Sequence, residues 1–445
     1  MSVLHSYLQR CHTAIFVIYA SSAAFMTYFC MYAFRKPFSV GTYEQGGDFL
    51  GMDFKVVLVL AQVLGYLLSK FIGIKVVSEL TASRRAITLL SLVMIAQLAL
   101  VLFAVVPEPV KPLMMFINGI PLGMIWGIVF SFLEGRKTSE ILGAFLSVTF
   151  IVASGLVRTV GQWLLVDMQV SEYWMPATTG AIFIVPLFVS VFFLSQTPAP
   201  SIKDKLARQV RAPMNGQQRL KFFLKYAPGL ILLVTSFLLF TGLRDFRDNF
   251  SAEIWQALGY GEEPAIFTYA GIRIAGVVLI VLAAMVMVKD NVKAFLTNHG
   301  FILLGCCLLG LTTFAFQQQW IDGKSWMVWL GTGLYIAYIP YNCFLFDRMI
   351  SAVGSTANAG FLIYLADSAG YVGSVSILLY RTFASPDISW LNFFIQLCYF
   401  VAIAGGALVC CSLAYFGYKL KIQKKINAEN SQHQSTKLAL GETNI

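Results

Sequence analysis

Apolar segments long enough to cross a bilayer recur along the chain at roughly 13–35, 54–74, 86–106, 112–133, 140–165 and 176–195. They return at roughly 227–246, 264–288, 295–316, 326–346, 356–379 and 391–417. A helix of about 20 apolar residues spans the hydrocarbon core, and in lipid it satisfies its own backbone groups. The pattern predicts an all-α membrane protein of about twelve transmembrane helices. One polar stretch interrupts it, Gln196–Lys225, which contains proline and seven cations: Lys203, Lys205, Arg208, Arg211, Arg219, Lys221 and Lys225. This linker, 196–225, separates an N-terminal six-helix bundle, residues 1–195, from a C-terminal six-helix bundle, residues 226–417. Beyond Gly417 the chain turns cationic and then polar, so 418–445 is expected to be a disordered tail.

Composition sharpens the class. Of 445 residues, 58% are hydrophobic and 12% charged, with a mean hydropathy of +0.73. A water-soluble globule of this size needs far less apolar surface. The first apolar run is too long for a signal-peptide core and lacks a small-residue cleavage site, so it is expected to remain as the first span. A net charge of +10 in a soluble protein would suggest a nucleic-acid partner, but its distribution gives a better account. With the N-terminus inside, 21 Lys and Arg fall in inner loops and the tail, 7 in outer loops and 4 within spans. That bias places both termini and the linker in the cytoplasm, against an anionic inner leaflet. The expected location is a cell membrane, the inner membrane of a bacterium.

The eight cysteines lie mostly inside apolar segments and form no CxxC or Cys/His metal spacing, so they read as small packing residues. The four histidines lie near ends or loops, and no HExxH, Ser/His pair or paired carboxylates appear. Neither an enzyme, a metal site nor a cofactor is expected. The absence of a repeated filter-like loop speaks against a channel.

Charges within the spans carry the functional signal. The first span closes with Arg35 and Lys36, and on a helix Tyr28, Tyr32 and Arg35 share one face. A guanidinium at the edge of the hydrocarbon needs water, a partner or a ligand; snorkelling to the headgroups is the plain alternative. The seventh helix repeats the arrangement with Thr241, Arg244 and Asp248. Matched charges in two halves mark a duplicated transporter with its site between the repeats. Other stripes are Gln62, Tyr66, Ser69 and Lys70 in helix two, and Ser147, Ser154, Arg158 and Gln162 in helix five. Helix eight has Tyr269 and Arg273, helix ten Tyr335, Tyr338 and Asn342, and helix eleven Tyr364, Asp367, Ser368 and Tyr371.

Such stripes face a wet cavity or one another, and pairing of Arg158 or Arg273 with Asp367 is the alternative to a ligand site. Five cations (Arg35, Lys70, Arg158, Arg244, Arg273) face one deep acid, Asp367, with Asp245 and Asp248 near the rim. This positive surplus suits an anion, because arginine grips phosphate or carboxylate with two parallel hydrogen bonds. Inner loops offer gating parts: Glu79 with Arg84 and Arg85, Glu134 with Arg136, and Asp347 with Arg348. Ion pairs among them could close the inner face and break on opening; ordinary positive-inside charge with incidental acids is the other reading.

The run Tyr28 to Phe38 resembles the first-helix motif of the organophosphate:phosphate antiporters of the major facilitator superfamily, a tyrosine pair followed by Arg-Lys and phenylalanine. Gly65 to Ile72 resembles that family's second-helix Gly-Tyr-x-x-Ser-Lys-Phe pattern, and Ser78-Glu79 with Arg84-Arg85 resembles the superfamily's loop signature. Tyr269 to Ile272 and Thr356 to Val375 are similar too. The resemblance implies the major facilitator fold, two pseudo-symmetric six-helix bundles rocking about a central site. It implies that Arg35 and Arg244 grip phosphate, with Lys70 a cavity lysine and Lys36 an auxiliary cation, and that substrate exchanges for phosphate. The family's helix-five histidine is absent, Arg158 lies one turn beyond its place, and Arg273 stands at an uncharged position, as in a divergent branch.

The expectation is a secondary transporter of a small anionic metabolite working by alternating access. Its substrate contacts would come from Arg35, Arg244, Lys70, Lys36, Tyr32, Tyr66, Arg158, Arg273, Tyr269 and Tyr338, with Asp367 coupling. Its partners would be the anion and the lipid bilayer, without nucleic acid, the protein acting as a monomer. A non-transporting sensor of the same anion and a proton-coupled symporter are the alternatives.

Overall fold

The computed structural model describes residues 3–49, 51–133, 136, 139–200, 216–355 and 359–439. Its helices account for all twelve anticipated spans. In the first half a short α1 (Val3–Arg10) precedes α2 (Thr13–Tyr32), α3 (Phe54–Glu79), α4 (Arg85–Val105), α5 (Lys111–Leu133), α6 (Ser139–Val166) and α7 (Met175–Ser195). In the second, α8 (Gly216–Asn249) and the short α9 (Ser251–Ala257) lead to α10 (Ile266–Val286), α11 (Asn291–Gln317) and α12 (Gly323–Cys343). A short α13 (Leu345–Ala352), α14 (Ala359–Ala384) and α15 (Trp390–Ala439) complete it. Strands β1 (Asp48–Phe49) and β2 (Met52–Asp53) form an antiparallel hairpin between α2 and α3.

Eleven of the described helices are long and apolar enough to cross a membrane. The twelfth, α12, is as long at 21 residues, but Lys324, Thr332, Tyr335, Tyr338, Tyr341 and Asn342 dilute its apolar content. The chain is a multi-pass membrane protein of two six-helix bundles. Exposed Val185, Ile280 and Ile403 stand on outward faces of α7, α10 and α15, as a lipid belt requires. We call the end that carries the hairpin the hairpin face and the opposite end the linker face.

Two boundaries differ from expectation. Helix α8 begins at Gly216, inside the anticipated linker, and breaks at Tyr226 (φ −119°, ψ 15°) ahead of Pro228, whose ring opposes a straight helix. Helix α15 continues to Ala439, where a disordered tail was expected from residue 418. That stretch contains neither proline nor glycine beyond Gly417 and is rich in Lys, Gln, Leu and Ala, which favour helix.

Close backbone contact knits the helices. A Cβ on Gly65 of α3 would lie 2.2 Å from the Phe116 carbonyl oxygen of α5. The two halves touch in the same way, since a Cβ on Gly155 of α6 would meet the Phe267 carbonyl oxygen of α10 at 2.6 Å. Without a hydrophobic drive between helices in lipid, such small-residue crossings are what bring backbones together. On the hairpin face Glu172 clamps the segment after α2, accepting from Thr42 N (2.7 Å), Thr42 Oγ1 (3.1 Å) and Tyr43 N (3.0 Å).

Candidate functional site

Pro37 ends the first span. It lacks an N–H and cannot extend the α-helical ladder: α2 ends at Tyr32, Lys36 stays in the right-handed region (φ −96°, ψ −26°) ahead of a 3-10 turn at Pro37–Val40, and the Phe34 and Arg35 carbonyls are left for side chains. Asn118 Nδ2 donates to the Phe34 carbonyl oxygen at 3.1 Å, and Gln62 Nε2 donates to that of Arg35 at 3.2 Å. Gln62 also donates to Asn118 Oδ1 at 2.8 Å. These two buried amides from α3 and α5 fix the backbone that presents Arg35.

Arg35 points into a cavity of ≈ 450 Å³ between the halves, walled by Tyr32, Tyr66 and Lys70 from the first and by Arg244, Tyr338 and Asp367 from the second. Its guanidinium lies over the Tyr66 ring at 3.9 Å and makes no ion pair among the described residues. Arg35 is 8% exposed, and its Nε has no hydrogen-bond partner. Two other cavity donors, Trp126 Nε1 and Asn342 Nδ2, are also buried and unpartnered. Each orphan is a donor. Such groups are costly to bury unless an acceptor meets them.

Arg244 is differently placed. Nη2 donates to Asp245 Oδ1 at 2.7 Å and Nε donates to it at 3.2 Å. Nη1 donates to the Tyr338 hydroxyl, and the guanidinium covers the Tyr338 ring at 4.4 Å. Asp245 Oδ2 in turn accepts from Ser374 at 2.7 Å. One turn toward the linker face from Tyr66, Lys70 bridges the halves to Asp367 at 3.2 Å, and Tyr66 meets Tyr371 with ring centroids 5.2 Å apart.

Beyond Arg35, toward the hairpin face, a second set of charges locks the halves together around Asp248. Lys36 Nζ stands 3.8 Å from Oδ2; Arg158 Nη2 and Arg247 Nη1 stand 3.5 and 3.7 Å from Oδ1. Arg158 also donates to Ser154 O (2.8 Å), Ser154 Oγ (2.9 Å), Asp248 O (2.9 Å) and Ser251 Oγ (2.5 Å). Lys36 donates to Asn249 Oδ1 at 3.1 Å. Lys55 pairs with Glu253 and donates to the Ser39 carbonyl oxygen at 2.9 Å. Burial pushes the Lys36 ammonium, just past the first span, down to about 7, against the pull of Asp248. Burial likewise holds the Glu253 carboxyl above its usual range, with Lys55 opposing.

The geometry brings Arg35, Arg244, Lys70, Tyr32, Tyr66, Tyr338 and Asp367 to one cavity. It places Lys36 and Arg158 in the lock instead. Arg273 and Tyr269 are not brought to the cavity: they stack at 3.4 Å on the exposed face of α10, because Gly271 and Ile274 turn the other face inward. The pairing of Arg158 or Arg273 with Asp367 does not form; Lys70 takes Asp367 and Asp248 takes Arg158. Asp245 and Asp248 are not rim residues, since each is 4% exposed. At the cavity, therefore, three cations face Asp367 on the wall and Asp245 behind Arg244, and Arg35 supplies the surplus.

Residues of the anticipated gate stand at the linker face. Arg85 Nη1 donates to the Ser131 carbonyl oxygen at 2.9 Å, and Arg348 Nη1 donates to Asn291 Oδ1 at 2.8 Å. Arg136 donates to the Pro198 carbonyl oxygen and lies 4.5 Å over Phe16, and Arg84 is exposed. Asp347 sits in the first turn of α13, and Glu79 ends α3 with its side chain outside the description. Glu134 lies outside the described residues. Sequence reasoning missed Arg247, Asn249, Lys55 and Glu253 in the lock and Trp126 in the cavity. The run Arg244-Asp245-Phe246-Arg247-Asp248, four charges at the end of an apolar helix, was the available signal.

No curated protein matches the chain by sequence. Among solved structures it is similar to a D-xylose–proton symporter, with TM-score 0.59, 13% identity, and 90% of this chain and 96% of that one covered. It is similar to the nucleoside transporter NupG (TM-score 0.57, 14% identity, 89% and 98% covered). The human organic anion transporter MFSD10 also aligns (TM-score 0.51, 14% identity, 89% and 98% covered). These likenesses show the major facilitator fold. Residues 37–419 match the model described as "Family of unknown function (DUF5690)", and the chain belongs to that family.

Proposed function

We propose that the protein is a secondary transporter that carries a small anion through the central cavity by alternating access. The observation that carries this reading is the buried Arg35 guanidinium, unpaired and with Nε unpartnered, on the wall of a cavity shared by both halves. Solved neighbours named for sugar, nucleoside and organic anion transport share the fold but not a substrate class, so the choice rests on the chemistry of the cavity. Arg35 grips the anion, Trp126 and Asn342 supply further donors, and Arg244 with Tyr338 forms the opposing wall. The resemblance of the first two spans to organophosphate:phosphate antiporters favours an organophosphate or similar ester exchanging for phosphate. By the positive-inside bias, the linker face is cytoplasmic.

The test is a thermal-shift screen of purified protein against phosphate esters, phosphonates, dicarboxylates and free phosphate, followed by uptake of the stabilising anion into proteoliposomes. A ligand specific for the folded state raises the melting midpoint with concentration. Arg35→Gln is expected to abolish both the shift and the uptake. Stabilisation by no anion, or equal binding by Arg35→Gln, overturns the proposal.

A second reading is favoured by the Lys70–Asp367 pair, which bridges the halves directly at the cavity. Protonation of Asp367 would release Lys70 and couple transport to a proton. Uptake by Asp367→Asn that ignores an imposed pH gradient supports this coupling; an unchanged pH response removes it.

A further inference from the structure

Arg247 is a buried charge that neither the cavity nor the lock satisfies. It lies on the last turn of α8 and is 6% exposed. A guanidinium has five N–H donors. Here Nη2 donates to the Met327 carbonyl oxygen at 3.2 Å, Nη1 stays 3.7 Å from Asp248 Oδ1, and Nε has no partner. Asp248 is already engaged by Lys36 and Arg158, so three cations share one carboxylate. Beside Arg247 lies a second, smaller cavity, walled by Arg158, Ser251, Trp255, Phe267 and Tyr335 among others. Among the described residues no carboxylate lines it, and none of them lines both this and the central cavity.

We propose that this cavity is a separate anion site, holding one small monovalent inorganic anion of the halide class against Arg247. The charge is argued from what is unspent. Of the two guanidiniums that line the cavity, Arg158 is spent on Ser154, Asp248 and Ser251, which leaves Arg247 to match one negative charge. The size is argued from the walls: Gly155, Phe267 and Gly271 press backbone against backbone at the cavity's edge, which leaves room for an ion rather than a metabolite. Both halves supply walls, Arg158 and Gly155 from α6, Arg247 and Phe267 from α8 and α10. Separation of the halves dismantles the site, so the anion binds the closed hairpin face and braces it.

The experiment is thermal unfolding of the purified full-length protein in sodium chloride replaced stepwise by sodium gluconate at constant ionic strength. The melting midpoint is expected to rise by about 1–3 °C for each tenfold increase of chloride above its dissociation constant. Arg247→Gln loses this dependence yet keeps the shift given by a phosphate ester at the central cavity, and Arg35→Gln does the converse. Failure of the central reading therefore leaves the chloride response standing, and the reverse. No chloride dependence in the unmodified protein, or an undiminished one in Arg247→Gln, overturns the site. Where Arg247→Gln does not fold, crystals of the unmodified protein in bromide decide it. An anomalous peak within hydrogen-bond reach of Arg247 Nε upholds the site, and none there overturns it.

Discussion

The two arginines that frame the central cavity occupy matching places in the two halves, yet their circumstances are opposite. Arg244 is held by Asp245 and Tyr338, so its charge is compensated and its orientation fixed before any ligand arrives. Arg35 is stacked on Tyr66 without an anionic partner. A pair that looks symmetric in sequence thus divides the work. The first half supplies the uncompensated charge, and the second supplies a rigid wall whose charge is mostly spent. Truncating one member of a buried charge pair is costly chiefly because the other is left alone, so the two positions should fail in different ways.

The largest expected effect separates them directly. Arg35→Gln should weaken binding of the anion proposed for this cavity by about 100-fold or more, with little loss of fold stability. Arg244→Gln should weaken binding by only about tenfold but strand Asp245, lowering stability by about 3 kcal/mol. Parallel titrations and melts of the two variants check this, and equal affinity losses would erase the asymmetry. Asp245→Asn should act in the opposite sense: freeing Arg244 adds one positive charge to the cavity, and affinity for a dianion should rise about tenfold, read by calorimetry. Asp367→Asn should follow with a smaller gain, about threefold, because its side chain is 19% exposed and already partly screened by water.

A change in pH rather than in affinity tests Lys36, the neighbour of Arg35 that serves the lock. Its folded-state value, about 7, lies below the unfolded lysine value of about 10.4. Between those limits the unfolded chain binds more protons, so stability contributed through this group rises with pH from about 7 to about 10. The melting midpoint of the unmodified protein relative to Lys36→Met should climb by a few degrees between pH 7 and pH 9. A flat difference would mean that Lys36 titrates as if in water.

The architecture was legible because lipid leaves few choices. Twelve apolar runs of sufficient length required twelve helices, and spans such as Met175–Ser195 fall within a residue of the pattern. Short elements outside the hydrocarbon, α9, α13 and the β-hairpin, carried no such signal. In the site, the identity of the intramembrane cations could be read, but their pairing could not. Asp245 follows Arg244 directly, and successive helix positions point about 100° apart; only the long guanidinium curling back makes them partners. Arg247 escaped notice because it lies off the face shared by Thr241, Arg244 and Asp248, yet α8 continues to Asn249 and buries the whole turn among neighbouring helices. Its burial is a property of packing, which no single segment declares.

One detail of chain geometry reaches further. Arg35 and Lys36 are consecutive residues, about 3.8 Å apart at Cα, yet one reaches the cavity and the other grips Asp248 and Asn249. On α8, Arg244 and Asp248 lie little more than a turn apart and divide in the same way. In each half, therefore, only a few backbone atoms separate the side chain on the cavity wall from the one in the lock, like two ends of a short lever. Pocket wall and latch thus share one short stretch of main chain in each half.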